Sequence, residues 1–196
     1  MRPDLLIVDQ WIKPNSRVLD LGCGDGTLLR HLQETKNVLG YGLEIDHDKI
    51  LKCIENDINV VEQDLDYGLA NFDNESFDVV VMSQALQAVM YPDKVVDEML
   101  RIGKECIITF PNFGHWMCRY YVAVKGQMPK AEHLPFDWYN TPNIHLCSFS
   151  DFDNFCASKK IHILTRTAVD QNFNSSLLMT MWPNLFGETA IYRITK

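Results

Sequence analysis

At 196 residues the chain is long enough to bury the core of one domain, and too short for two of ordinary size with a linker. Hydrophobic residues at 46% and charged residues at 22% are ordinary globular values. The longest uninterrupted apolar run, around Val79–Met82, falls far short of the roughly 20 residues that cross a bilayer, so no membrane partner is expected. A formal net charge of -8, with the 18 basic residues scattered, excludes nucleic acid as the expected partner, because a phosphate-neutralising surface needs clustered Lys and Arg.

The opening Met1-Arg2-Pro3-Asp4 is followed by a short apolar patch without a small-residue cleavage site, which does not read as a signal peptide. Six cysteines, at 23, 53, 106, 118, 147 and 156, form no C-x-x-C pair and have no regular spacing. Free thiols in a cytoplasmic protein are expected, and a zinc site is not.

Along the chain, Pro3 at a first-turn position followed by Leu5, Val8 and Ile12 predicts a short amphipathic helix, stopped by Pro14-Asn15. Arg17–Leu21 is a predicted strand. Three glycines follow within five residues, and Leu28, Leu29 and Leu32 continue at helical spacing to about Lys36. Val38–Leu43 is the second predicted strand. Asp46 then caps a helix carrying Ile50, Leu51 and Ile54, with Asp46 and Asp48 suited to its positive end. Val60–Gln63 and Phe77–Met82 are the third and fourth predicted strands. Pro92 opens a helix with Val95, Val96, Met99 and Leu100 on one face, and Glu105–Phe110 is the fifth strand. Strand and helix alternate over the first 110 residues, the pattern of βαβ units around a parallel sheet. Right-handed crossovers place the loops after the strands along one sheet edge, where ligands bind.

After Pro111 the texture changes. Residues 113–149 are rich in aromatics, Pro and His, with one predicted helix near Trp116–Val124. Ser150 or Asp151 is the predicted cap of a helix through Cys156, and Ile161–Arg166 and Ala190–Thr195 are late strands. Without repeats, low-complexity tracts or linkers, residues 1–196 are expected to form one domain. Residues 1–112 form its ligand-binding half, and 113–149 and 170–188 are insertions specific to its family.

The chemistry is carried by Asp20-Leu21-Gly22-Cys23-Gly24-Asp25-Gly26. The nicotinamide fingerprint spaces its glycines G-x-G-x-x-G and puts a pyrophosphate at the helix N-terminus. Here the third such position is Thr27. The acid Asp20 would repel a pyrophosphate but attract a ligand ammonium, and no G-K-[ST] follows to make a phosphate loop. S-adenosylmethionine has that ammonium and no phosphate. Glu44, 20 residues after Gly24, stands where a carboxylate accepts both hydroxyls of an adenosine ribose, with Ile45 beside it. Asp64, followed by Leu65, stands where a carboxylate accepts the adenine amino group. Ser83-Gln84 after the fourth strand places polar backbone beside the ligand. Each feature alone has an ordinary explanation as a tight turn or a solvated loop acid. Four in order at the ends of four successive strands are hard to attribute to chance.

From about residue 15 to 112 the chain resembles the class I S-adenosylmethionine-dependent methyltransferases. The resemblance implies a doubly wound, mostly parallel seven-stranded sheet of the Rossmann-like type with its last strand antiparallel. It also implies S-adenosylmethionine or S-adenosylhomocysteine as cofactor. Asp20 and the turn of Gly22, Cys23, Gly24, Asp25 and Gly26 would hold the methionine moiety, Glu44 the ribose, and Asp64-Leu65 the adenine.

The second half narrows the family. Phe110-Pro111-Asn112-Phe113-Gly114-His115-Trp116, Gly126-Gln127-Met128-Pro129, Leu134-Pro135 and Trp138-Tyr139-Asn140-Thr141-Pro142-Asn143-Ile144-His145-Leu146-Cys147 resemble the methionine biosynthesis proteins MetW. Gln63-Asp64-Leu65-Asp66 and Ser83-Gln84-Ala85-Leu86-Gln87 extend the likeness over most of the chain. It departs at Ala85, where threonine is common in the family, on the pocket wall. The resemblance implies a protein that accompanies a homoserine O-acyltransferase in homoserine acylation, as a supporting or regulatory subunit. The alternative is an active methyltransferase on a small molecule or a protein.

A methyl transfer to an alcohol or amine often uses a general base, and the candidates near the ligand edge are His115, Tyr139 and His145. The stronger expectation is that His115 and His145 hydrogen-bond backbone carbonyls and order the long irregular segment; no catalytic residue is assigned. A metal held by His115, His133 and His145 is not expected from their spacing. No Asn-Pro-Pro-Tyr-like signature follows the fourth strand, which again disfavours nucleic-acid methylation. With only about 16 residues before the first strand, little N-terminal material is available for a lid, so an acceptor pocket is expected to come from residues 113–149 and 170–188. The aromatics Trp116, Tyr120, Tyr121, Trp138, Tyr139 and Trp182 suit an anchor surface for a protein partner; taken singly, each is expected to cap the sheet as core.

Overall fold

A computed structural model describes residues 3–131, 133–170 and 175–196. Seven strands form one sheet: β1 (Arg17–Leu21), β2 (Leu39–Glu44), β3 (Asn59–Glu62), β4 (Phe77–Ser83), β5 (Gly103–Pro111), β6 (His162–Val169) and β7 (Thr189–Thr195). Their order is β3-β2-β1-β4-β5-β7-β6. The first five run parallel, and β7 lies antiparallel to both β5 and β6. The order reverses between β1 and β4, so the loops leaving these two neighbours turn to opposite faces and open a crevice at their carboxyl ends.

Helices cover both faces, and strand alternation decides which side chain meets which helix. Val18, Val79, Val81, Ile107 and Ile191 pack on one face with Leu5, Val8 and Ile12 of α1 (Pro3–Trp11) and Leu28, Leu29 and Leu32 of α2 (Thr27–Lys36). Cys53 of α3 (His47–Glu55) joins them. The alternate positions, Leu19, Leu21, Val80, Met82, Ile108 and Tyr192, meet α4 (Pro92–Ile102) and α6 (Phe149–Lys159) on the other face. The apolar positions read from the sequence at helical spacing are the ones buried in α1, α2 and α4, and Pro92 does sit in the first turn of α4. In α3 only Ile50 of the expected Ile50, Leu51 and Ile54 is buried, with Cys53 beside it, while Leu51 and Ile54 face solvent.

The second half holds the differences from expectation. The segment after β5 starts a helix, α5 (Trp116–Tyr120), but the turn from Tyr121 to Lys125 widens to π-helical geometry and ends at Gly126 with φ of 62°. The cap of α6 is Ser148, two or three residues earlier than expected. Its hydroxyl receives the Asp151 N–H while Asp151 Oδ2 receives the Ser148 N–H at 3.0 Å. Ser150 and Asp151 lie inside the helix, which runs past Cys156 to Lys159. Between β6 and β7 the expected long connection carries two short helices, α7 (Leu177–Met181) and α8 (Pro183–Phe186); residues 171–174 of it lie outside the described residues. Among the described residues no helix is long and apolar enough to cross a membrane.

Candidate ligand-binding site

The loop after β1 turns on glycines in a conformation that side chains resist. Gly22, Gly24 and Gly26 have φ of 72°, 62° and 76°, in the left-handed region open to glycine. Gly22 and Cys23 both donate their N–H to the Leu43 carbonyl at 2.8 and 3.0 Å, which ties the loop to the end of β2. A second glycine requirement comes from β2 itself. A Cβ on Gly42 would lie 2.4 Å from Cys23 Sγ, so the loop reaches the sheet only because that side chain is missing.

Glu44 closes this arrangement. Its Oε2 accepts the Gly24 N–H at 2.8 Å, and its Oε1 accepts the N–H groups of Ile45 at 2.9 Å and Asp46 at 3.0 Å. The carboxylate is buried, and the three backbone donors take the place of water around its charge. Asp25, more exposed, accepts from the Thr27 hydroxyl at 2.6 Å and the Thr27 N–H at 3.1 Å at the start of α2. The hydroxyl bond, ahead of the backbone ones, holds its carboxyl below the ordinary carboxylate range. Beneath the loop, Cys53 Sγ donates to the Gly24 carbonyl at 3.1 Å and lies 3.9 Å from Cys23 Sγ. Burial pushes the Cys23 and Cys53 thiols up, and all six cysteines are free.

These loops surround a cleft of about 1230 Å³ at the carboxyl edge of the sheet, larger than the roughly 300–1,000 Å³ of most small-molecule pockets. Of the residues singled out from the sequence, Asp20, Gly22, Cys23, Gly24, Asp25, Glu44, Ile45, Asp64, Leu65, Ser83 and Gln84 all line it. Gly26 does not: it caps α2, and a Cβ there would press into Ile58 and Cys53 from behind the loop. Asp64 also shapes its own loop, its Oδ1 accepting the Asp66 N–H at 2.9 Å. Gln84, with φ of 57°, donates its N–H to the carbonyl and hydroxyl of Thr109 at 3.0 and 3.1 Å.

The sequence reading missed one side of the cover. Asp4 and Leu5 of α1 line the cleft, and Asp4 Oδ2 accepts from the Ser83 hydroxyl at 3.2 Å. The few residues before β1 therefore do contribute a wall, contrary to expectation; an acid in the first turn of a helix was the only local signal. The opposite wall comes from His133, Pro135, Phe136, Pro142 and Asn143. It is anchored by Gln87, whose carbonyl accepts the Ile144 and His145 N–H groups at 2.9 and 3.0 Å.

None of the candidate bases His115, Tyr139 and His145 lines the cleft. His145 bonds the Met90 carbonyl at 3.3 Å, as expected of a residue that orders a loop. Tyr139 is 70% exposed. His115 is buried, but its Nδ1 has no partner, so the expected carbonyl bond is not made from that atom. Burial lowers its pKa. His133, passed over as a base, is the histidine in the wall. Its ring sits 5.3 Å from that of His115, and burial, then His115, push its pKa down to about 4. No group of three or more His, Cys, Asp and Glu among the described residues is arranged to hold a metal.

Six acids (Asp4, Asp20, Asp25, Glu44, Asp64 and Asp66) and one lysine, Lys49, line the cleft. Such a surface favours a cation and repels a pyrophosphate. It fits the ammonium and sulfonium of adenosylmethionine.

Sheet order, the antiparallel β7 and the glycine turn define the class I methyltransferase fold. The same fold is seen in an S-adenosylmethionine-dependent methyltransferase from Mesorhizobium loti (TM-score 0.70, 18% identity, covering 99% of this chain and 96% of that one). It is seen again in a SAM-dependent methyltransferase from Archaeoglobus fulgidus (TM-score 0.67, 16% identity, 100% and 92% covered), and in the cyclase SpnF (TM-score 0.70, 14% identity, 100% and 81% covered). The chain belongs to the family of methionine biosynthesis proteins MetW, whose sequence profile matches residues 2–194. A relative in Rhodopirellula baltica, described as a bifunctional methionine biosynthesis protein MetXA/MetW, is 32% identical over 189 residues, 92% of this chain. The chain spans only 30% of that relative's length.

Proposed function

We propose that the chain is an adenosylmethionine-binding subunit of methionine biosynthesis that supports or regulates a homoserine O-acyltransferase. The observation that carries the ligand is the acid-lined cleft, in which the glycine loop and the buried Glu44 carboxylate are locked together by the Gly24 N–H. Asp20 and the loop then meet the methionine end, Glu44 the ribose and Asp64 the adenine. Glu44 keeps lone-pair capacity for a ribose hydroxyl mainly on Oε2, because Oε1 already takes two N–H groups.

The partner is supported by the Rhodopirellula baltica relative, which bears both names in one polypeptide; fusing two units fixes them at high effective concentration. A ligand made downstream of methionine that occupies this cleft reports pathway status, provided it binds the partner's two activity states unequally. The test is acyl transfer to homoserine by the acyltransferase alone, with this chain, and with this chain plus adenosylmethionine. The expected result is a rate that depends on the chain and shifts with the ligand. A rate indifferent to both at saturation contradicts the proposal.

An active methyltransferase is the second reading, favoured by the size of the cleft, which leaves room beside a cofactor, and by the neutral His133 in its wall. Transfer of a labelled methyl group to a metabolite extract or to the co-purified acyltransferase supports it; tight cofactor binding without turnover supports the subunit.

A further inference from the structure

The face behind the cleft's outer wall exposes large apolar side chains side by side. Trp138 and Tyr139 are 75% and 70% exposed, and their rings stack edge-on at 5.8 Å, against each other. Close by, Met128, Pro129, Phe136, Trp138 and Leu146 line a shallow dimple of about 40 Å³. The segment is nevertheless held in place. Phe113 N–H bonds the Cys147 carbonyl at 3.0 Å, Ala131 and Leu134 exchange backbone bonds at 3.1 and 2.9 Å, and Leu134 is buried. A pinned segment that holds two large aromatic rings out in solvent is built as an anchor: such rings are enriched where interfaces concentrate their binding energy, and contiguous exposed apolar surface marks interaction sites.

We propose that this face, centred on Trp138 and Tyr139 beside the Phe136 dimple, is where the homoserine O-acyltransferase docks. The inference rests on the subunit reading above and deepens it. The occupant is argued from the Rhodopirellula baltica relative: the sequence of this chain accounts for 30% of a polypeptide that also bears the MetXA name, so the two units there coexist in one molecule. The position of the face adds a reason. Phe136 and Asn143 line both the dimple and the ligand cleft, so a partner seated on the dimple touches the far side of the wall that the ligand touches.

The experiment measures binding of the purified chain to the acyltransferase from the same organism by calorimetry, for the wild type, the double variant Trp138→Ala/Tyr139→Ala, and Ile54→Ala. Ile54 is an exposed apolar residue on α3 and serves as control. Neither Trp138 nor Tyr139 lines the cleft, so retained adenosylmethionine binding by the double variant shows that it is folded. The expected result is affinity lowered at least tenfold in the double variant and unchanged in Ile54→Ala. Equal affinity of wild type and double variant overturns the docking face while leaving the subunit reading intact. Absence of any wild-type binding overturns both. If sedimentation shows the double substitution splitting a dimer of this chain while acyltransferase binding persists, the face joins two copies and the proposal falls.

Discussion

Three backbone N–H groups converge on the carboxylate of Glu44, from Gly24, Ile45 and Asp46, and this explains how one residue shapes both the loop and the ligand edge. From the sequence, Glu44 stood out by its distance from the glycines; its bond to Gly24 was not legible, because it depends on how far β1 and β2 are offset. The same limit hid His133, which has no distinguishing spacing and becomes notable only because the chain folds it under His115. That burial has a consequence for stability. In the unfolded chain His133 takes a proton at its ordinary pKa of roughly 6.5, whereas the folded protein resists until about pH 4. Between those values the unfolded state binds more protons, so stability rises with pH across the window and levels off above it. For a shift of this size the change is about 3 kcal/mol. Urea midpoints at pH 7.5 and pH 4.5 are expected to differ less for His133→Gln than for the wild type, with His115 supplying a residual dependence. Parallel pH profiles would contradict the assignment.

At the scale of elements, the parallel half was readable and the second half was not, for a physical reason. β1, α2 and α4 carry one clear period each, and their boundaries moved by a residue or two at most from expectation. The segment after Pro111 is organised by side chain to backbone bonds instead. Buried Asn112 donates to the Asn184 and Gly187 carbonyls at 3.1 and 2.7 Å and accepts the Gly114 N–H. The two donated bonds join residues more than 70 positions apart, which no local pattern reveals. Trp116, Tyr120, Trp138, Tyr139 and Trp182, each expected to cap the sheet as core, are instead 43% to 75% exposed; aromatic content alone does not distinguish a core from an anchor. The start of α6 was misplaced because Ser148, Ser150 and Asp151 all suit a cap, and both serines have an Asp three residues on, Asp151 and Asp153; only the fold shows that the capping box forms at Ser148. Ser148→Ala is expected to cost about 1 kcal/mol, read as a lower urea midpoint with an unchanged slope. An unaltered midpoint would mean that the packing of Phe149 and Phe152, and not the cap, fixes the helix start.

For the molecule as a whole, the sheet order brings four loops, the first turn of α1 and the wall from His133 to Asn143 around one acid-lined cleft. The ligand edge was legible in the sequence because each of its residues ends or closely follows a strand. The α1 side of the cover was not, since Asp4 reaches the cleft from a distant part of the chain. Methyltransferase folds also host proteins of other activity, and fold alone does not decide function; the ligand is therefore the claim on which the rest depends. Calorimetric titration of adenosylmethionine into the wild type and Glu44→Gln tests it most directly. In the variant one carboxylate oxygen becomes an NH2 group that cannot accept, so the acceptor shared by Gly24, Ile45, Asp46 and a ribose hydroxyl is halved. A lost hydrogen bond to a charged group costs about 1.5–3 kcal/mol. One site per chain is expected, with affinity in Glu44→Gln lowered at least tenfold. No binding by the wild type at millimolar ligand, or equal affinity in the two proteins, would contradict the account.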